Sequence, residues 1–278
     1  MSLETRPSVK KSLSGFAVLP NPEAHDLELA LGIRFAQVPA RIELGVRNRL
    51  ALLAKERSVF PFRDRIDAFY DREYDAFFVR PGESNRVLDW HENMHSYTYS
   101  RRPDGLATLS DARTLLLAGL KGEYASPIRM EQVTVQATLN EGISEWAAVK
   151  TAMEVGEEYE IEKARQIDYE PRTKDKLIGG QKSPLAASQA IFKRALERLQ
   201  SLLGQDPGFR TPLVFNQAVD QISRVSYYIG YNFVKESMKG LQRRGFSIPS
   251  ALDHLIQYPP SRVQDLESPR KFLFDRLR

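Results

Sequence analysis

DWHENMH, Asp89 to His95, sets two of the chain's four histidines four residues apart, with Glu92 directly after the first. The spacing has a clear meaning only on a helix, where residues i and i+4 sit one turn apart on the same face. His91 and His95 can then aim their imidazoles at one point. Because the chain contains no cysteine, a metal at that point has to be held by histidine and carboxylate. Two imidazoles suit Zn2+ but do not complete a catalytic site, which takes three protein ligands and keeps an open position. TLNEGISEW, 138 to 146, offers the rest. Glu141 can supply the carboxylate ligand. Glu145, one turn on, is placed to accept a hydrogen bond from the free ring N–H of a ligating histidine, which fixes its tautomer. Glu92 lies about 100° around the helix from His91, within reach of a water on the metal, as a general base needs.

These residues carry a family resemblance. HENMH with NEGISEW downstream resembles the gluzincin metallopeptidases, whose thermolysin-like members pair HExxH with NExxSD and whose other branches, similar to peptidase-MA-like proteins, use EGxxEY or EGxAEW. The resemblance implies Glu141 as third zinc ligand and Glu145 as support for a zinc-bound histidine. It extends more weakly to FYDREYDAFFV, similar to the edge strand before the active-site helix. YYIGYNFVKESM is similar to a C-terminal helix of such proteins, and YPPSRVQDLESPRKFL to a tail found in predicted members. On that match Tyr227 is the candidate donor to an oxyanion, with Tyr228 and Tyr231 as competitors. Two flanks depart from the usual pattern. Asp89 stands where an uncharged residue is common and adds negative charge beside the histidines, and Asn93 stands where many members have an aliphatic or aromatic side chain.

The expected architecture is α+β and predominantly helical. By resemblance it is a zincin-like catalytic domain with a small N-terminal mixed or antiparallel sheet, an active-site helix and a helical C-terminal part. The domain boundary is expected near 175, with a metal-binding region over 1–175 and a helical subdomain over 176–278. RIELGVRNRLALLAKE, 41 to 56, has the apolar spacing of an amphipathic helix. Residues 66 to 80 read as two extended segments joined near 71 to 73, a hairpin, whose edge could bind a peptide by strand addition. Ser84 or Asn85 can cap the following helix. A short helix is expected over 110 to 122, capped by Ser110. Another runs from Ser126 and Pro127 to Val155 or beyond, with Asn140 or Gly142 as a candidate break, and a charged stretch ending in Gly-Gly then reads as a frayed helix and linker. Two more helices are expected from Pro184 and Pro212, the first stopping at Gly204. The second has Phe215, Ala218, Ile222, Ile229 and Phe233 along one side and Gly240 as its stop. A short helix follows Ser247.

A 278-residue chain with 42% apolar residues and a net charge of +4 is ordinary for a globular fold, and its apolar runs are too short to span a bilayer. The small positive surplus is spread along the chain. LQRRGF at 241 to 246 is the nearest approach to a nucleic-acid footprint, and no such partner is expected. No signal peptide reads in the first twenty residues, so a cytoplasmic location is expected. The leading expectation is a zinc-dependent metallopeptidase acting on a peptide or protein substrate, with His91, His95 and Glu141 as ligands. The alternatives are a non-catalytic zinc protein and a basic interaction protein. His25 and His254 have no partner visible in the sequence.

Overall fold

The computed structural model describes residues 12–44, 68–82, 85–102, 105–108, 111–112, 115, 126–169, 183–203 and 212–276. Its elements in order are β1 (Val18–Leu19), α1 (Glu23–Leu31), β2 (Ala40–Glu43), β3 (Ala68–Asp71), β4 (Ala76–Val79), α2 (Arg86–Arg101) and α3 (Pro127–Val155). They are followed by α4 (Glu158–Tyr169), α5 (Pro184–Leu203), α6 (Pro212–Gln242), α7 (Ile248–Gln257), α8 (Val263–Glu267) and α9 (Pro269–Arg276). Among the described residues the protein is therefore predominantly helical with one small mixed sheet. Its residues fall into two compact units, Met1–Gly105 with Ala147–Ala164, and Leu106–Trp146 with Arg165–Arg278.

In the first unit the sheet order is β1-β2-β4-β3. The expected hairpin over 66 to 80 is β3–β4, antiparallel, with Phe69 opposite Phe78 and Tyr70 opposite Phe77. Aromatic cross-strand pairs of this kind stabilise a sheet, and the Phe69 and Phe78 rings stack at 5.2 Å. β2 runs parallel to β4. All four residues of β4 are buried, as a central strand covered on both faces requires. Ile42, Leu44, Ala76 and Phe78 form one core cluster, joined by Leu13, Phe16 and Tyr74, while α2 packs on the β3–β4 hairpin. The amphipathic helix expected over 41 to 56 is corrected at its start, where residues 41 to 43 are strand. Alternation of Ile42 and Leu44 suits a strand equally, and pairing with β4 decides it. Residues 45 to 56 lie outside the described residues.

The second unit is built on α6. α5 lies along it, burying Phe192, Ala195, Leu196, Leu199, Leu202 and Leu203; the sequence spacing predicts a stripe at Ile191, Ala195, Leu199, Leu202 and Leu203, of which Ile191 is half-buried. Ala218, Ile222, Ile229 and Phe233 are buried on α6, whereas the side chain of Phe215 lies outside the described residues. α7, α8 and α9 pack on the same helix. Two glycines act as contacts, not as breaks. α3 continues unbroken through Gly142, since a Cβ there would stand 2.2 Å from the backbone carbon of Gly230 on α6 and so only glycines permit the crossing. α6 likewise passes through Gly240, where a Cβ would meet Leu273 of α9 at 2.9 Å. The chain turns instead at Gly245, whose φ of 87° lies in the left-handed region open to glycine. Ser247 caps α7 as expected, its hydroxyl accepting from the Ser250 N–H at 3.3 Å. Ser110 lies outside the described residues. Thr108 starts the helical residues 111 and 112, its hydroxyl accepting from the Asp111 N–H at 3.1 Å. No helix among the described residues is long and apolar enough to cross a membrane.

Candidate metal centre

Asn85 is the residue that starts the helix carrying the histidines. Its backbone is extended and its Oδ1 accepts from the Leu88 N–H at 2.9 Å, satisfying one of the donors that a helix start leaves open. α2 is then buried on all sides, from Trp90, Met94 and Tyr97 to the polar Asp89, His91, Glu92, Asn93, His95 and Ser96. A helix so enclosed has to satisfy every polar side chain it carries.

The two imidazoles face each other. Their ring centroids are 4.9 Å apart at an interplanar angle of 77°, and the two Nε2 atoms are 3.2 Å apart. Two nitrogens bound to one tetrahedral cation at about 2.0–2.1 Å stand about 3.3 Å from each other, so the observed pair has the spacing that a shared cation requires. Without a cation the same approach is one imidazole donating to the other. A third ligand residue beside the pair favours the first case. His91, His95 and Glu141 are all buried, and each offers one ligand atom, with these atoms all within 4.8 Å of one another. Glu141 belongs to α3.

The donor set, two imidazoles and a carboxylate, suits a divalent metal such as zinc. Burial supports the same conclusion. Glu92, Glu141 and Glu145 are buried on the two helices that carry the ligand atoms. Enclosed carboxylates are costly unless positive charge or hydrogen bonds compensate them, and a bound cation supplies such charge. The cluster could therefore hold a metal ion.

Of the other residues expected at the site, Glu92 is buried on α2 directly after His91, and Glu145 is buried on α3 one turn beyond Glu141. Tyr227 and Tyr228 are half-buried on α6 and Tyr231 is buried there, its ring under the Lys235 ammonium at 5.6 Å.

Asp89 and Asn93, the two departures in the motif, have structural partners. The Arg41 guanidinium donates to Asp89 Oδ2 at 3.0 Å, so the charge expected beside the histidines is engaged by β2. Asn93 accepts from Asn21 Nδ2 at 2.8 Å and donates to Asn21 Oδ1 at 3.1 Å. Ser96 donates to Asp75 Oδ1 at 2.9 Å, and Tyr70 donates to the same oxygen at 2.9 Å. Sequence reasoning missed these partners, which are 48, 72 and 21 residues away in the chain and leave no local signal. Burial, followed by the charge of Asp75, pushes the Tyr70 hydroxyl well above the usual phenol range. The chain matches no protein-family profile, no curated protein and no solved structure, which leaves the centre's own donor set as the guide to its chemistry.

Proposed function

We propose that the protein is a zinc-dependent hydrolase, a zincin-like metallopeptidase of the gluzincin kind, cleaving a peptide or protein substrate. The observation that carries this reading is the convergence of His91, His95 and Glu141, three buried residues whose ligand atoms lie within 4.8 Å of one another, with the two Nε2 atoms 3.2 Å apart. When bound, the zinc supplies Lewis acidity and lowers the pKa of its water from about 15.7 to about 7. The chain's own residues do the remainder. Glu92, following His91 and not itself a ligand, takes a proton from the attacking water on its carboxylate and returns it to the leaving amine. Glu145 accepts from a ring N–H of a ligating histidine and holds that ring's tautomer and orientation. Tyr227 is the candidate donor to the developing oxyanion. β3, paired only with β4 among the described strands, would take an extended substrate by strand addition.

A second reading, a non-catalytic metal centre, is favoured by the burial of all three ligands. One pair of measurements separates the two. Elemental analysis of protein purified without chelators is expected to find about one zinc per chain. Glu92→Gln is expected to retain that zinc and lose hydrolysis of a casein or peptide-library substrate by at least about a hundredfold, the scale of a lost general base. A metal-free protein would remove the basis for both readings. Retained hydrolysis in the variant would remove Glu92 from its role, and a wild-type protein that binds zinc but cleaves nothing would leave the non-catalytic centre.

A further inference from the structure

The face of α2 turned away from the ligands carries Asp89, Asn93 and Ser96, at i, i+4 and i+7. At roughly 100° per residue this stripe lies about 150° around the helix from His91 and His95. All three side chains are buried, and each is held by a different segment of the same compact unit. Asp89 is held by Arg41 of β2 at 3.0 Å. Asn93 exchanges two amide hydrogen bonds with Asn21, ahead of α1, and donates to the Asp89 carbonyl at 2.8 Å. Asn21 in turn donates to the Pro39 carbonyl at 3.0 Å. Ser96 is held by Asp75 of the β3–β4 turn, itself at a φ of 47° that few residues other than glycine adopt.

Apolar packing is non-directional and tolerates a small slide or roll of a helix. Hydrogen bonds weaken steeply when misaligned, and a buried one left unmade is costly. An axial slip of one residue moves a helix about 1.5 Å, most of the length of a coordination bond of about 2 Å, so a metal site needs its helix held more closely than packing alone ensures. The three anchors span seven residues, about 10 Å of helix, and oppose both slide and roll. We infer that Asp89, Asn93 and Ser96 are positioning residues that lock α2 in the one rotation and register in which both Nε2 atoms face the cation. The inference rests on the reading of His91, His95 and Glu141 as a metal centre.

Two variants test it. Asn21→Leu with Asn93→Leu replaces both partners of the amide pair by apolar groups of similar shape, and also takes the Asn21 donor from the Pro39 carbonyl, so some loss of stability is expected from that bond. Ser96→Ala removes one donor and nothing else. For each, Co2+ dissociation and the visible absorption of the Co2+ form are measured, alongside melting of the chelated protein. Both variants are expected to bind Co2+ about tenfold more weakly, the low end of losses seen when the support of a ligand is removed. Their cobalt spectra are expected to shift, with the chelated melting temperature of Ser96→Ala little changed. Wild-type affinity and an unshifted spectrum in a folded variant would overturn the inference, whatever the melting temperature. If the double variant does not fold, Ser96→Ala decides by the same readouts. A wild-type protein that takes up no Co2+ would overturn the metal centre itself, which is a different result.

Discussion

Tyr70 shows how one residue links the sheet to the helix that bears the histidines. Its hydroxyl donates to Asp75 Oδ1, the oxygen that also receives the Ser96 hydroxyl from α2. Burial and the neighbouring carboxylate raise its pKa in the fold, so at alkaline pH the unfolded chain releases this proton first. The unfolded state then binds fewer protons than the native one, and stability falls as pH rises. The contribution is intact below about 10, the ordinary tyrosine value, and is lost progressively above it. Tyr70→Phe is therefore expected to flatten the alkaline loss of stability, measured as urea midpoints between neutral pH and pH of about 11. An unchanged slope would show that the hydroxyl does not stay protonated in the fold. At this scale the sequence was most legible where chemistry is local. His91, Glu92 and His95 could be picked out because their spacing has meaning on a helix, and Asn85 because a cap acts on its own backbone neighbours. Asp89 and Asn93 read only as departures from a pattern, since Arg41 and Asn21 are far away in the chain.

Among the elements, α3 carries the most consequence for the candidate metal centre, because it bears Glu141 and crosses α6 at a glycine pair. Close approach there is strict. A Cβ on Gly230 would stand 2.1 Å from the Thr138 carbonyl oxygen, and one on Gly142 would strike Gly230 backbone atoms. Thr138 also donates to Ser226 Oγ at 3.2 Å next to that crossing. Alanine favours an isolated helix over glycine by about 1 kcal/mol. Gly142→Ala is nevertheless expected to destabilise the protein, by about 1–3 kcal/mol as an overpacked contact does. It is also expected to weaken metal binding, because the methyl group has to displace the segment that holds Glu141. Denaturant unfolding and metal titration check the two effects, and a stabilised variant would show that the crossing is looser than its geometry indicates. The sequence pattern marked Gly142 and Gly240 as a candidate break and a stop because glycine weakens a helix in isolation. It does not show that another backbone or a leucine lies against the missing side chain.

For the molecule as a whole, a cation held by His91, His95 and Glu141 would tie Glu141 to histidines that lie 46 and 50 residues before it in the chain. Such an ion binds the folded state and has no comparable site in the unfolded one, so its binding free energy adds to stability. At a free zinc concentration a hundredfold above the dissociation constant, the stabilisation is about 2.7 kcal/mol. Removing metal with a chelator is expected to lower the melting temperature by several degrees, and added zinc to restore it. Calorimetric melts with and without chelator test this, and identical melts would mean that the three ligands keep their arrangement without an ion.

The helical character, the β3–β4 hairpin, the α2 cap and the stripes of α5 and α6 were determined by the sequence alone, because periodicity, capping and turn chemistry act within a few residues. Tertiary structure decided the rest. It made residues 41 to 43 a strand by pairing them with β4, and kept α3 and α6 intact through glycines by packing neighbours against them. It also matched Asp89, Asn93 and Ser96 with Arg41, Asn21 and Asp75, and brought Glu141 to the two imidazoles. Each of these depends on contacts between segments distant along the chain, and local energetics do not specify which distant segment arrives.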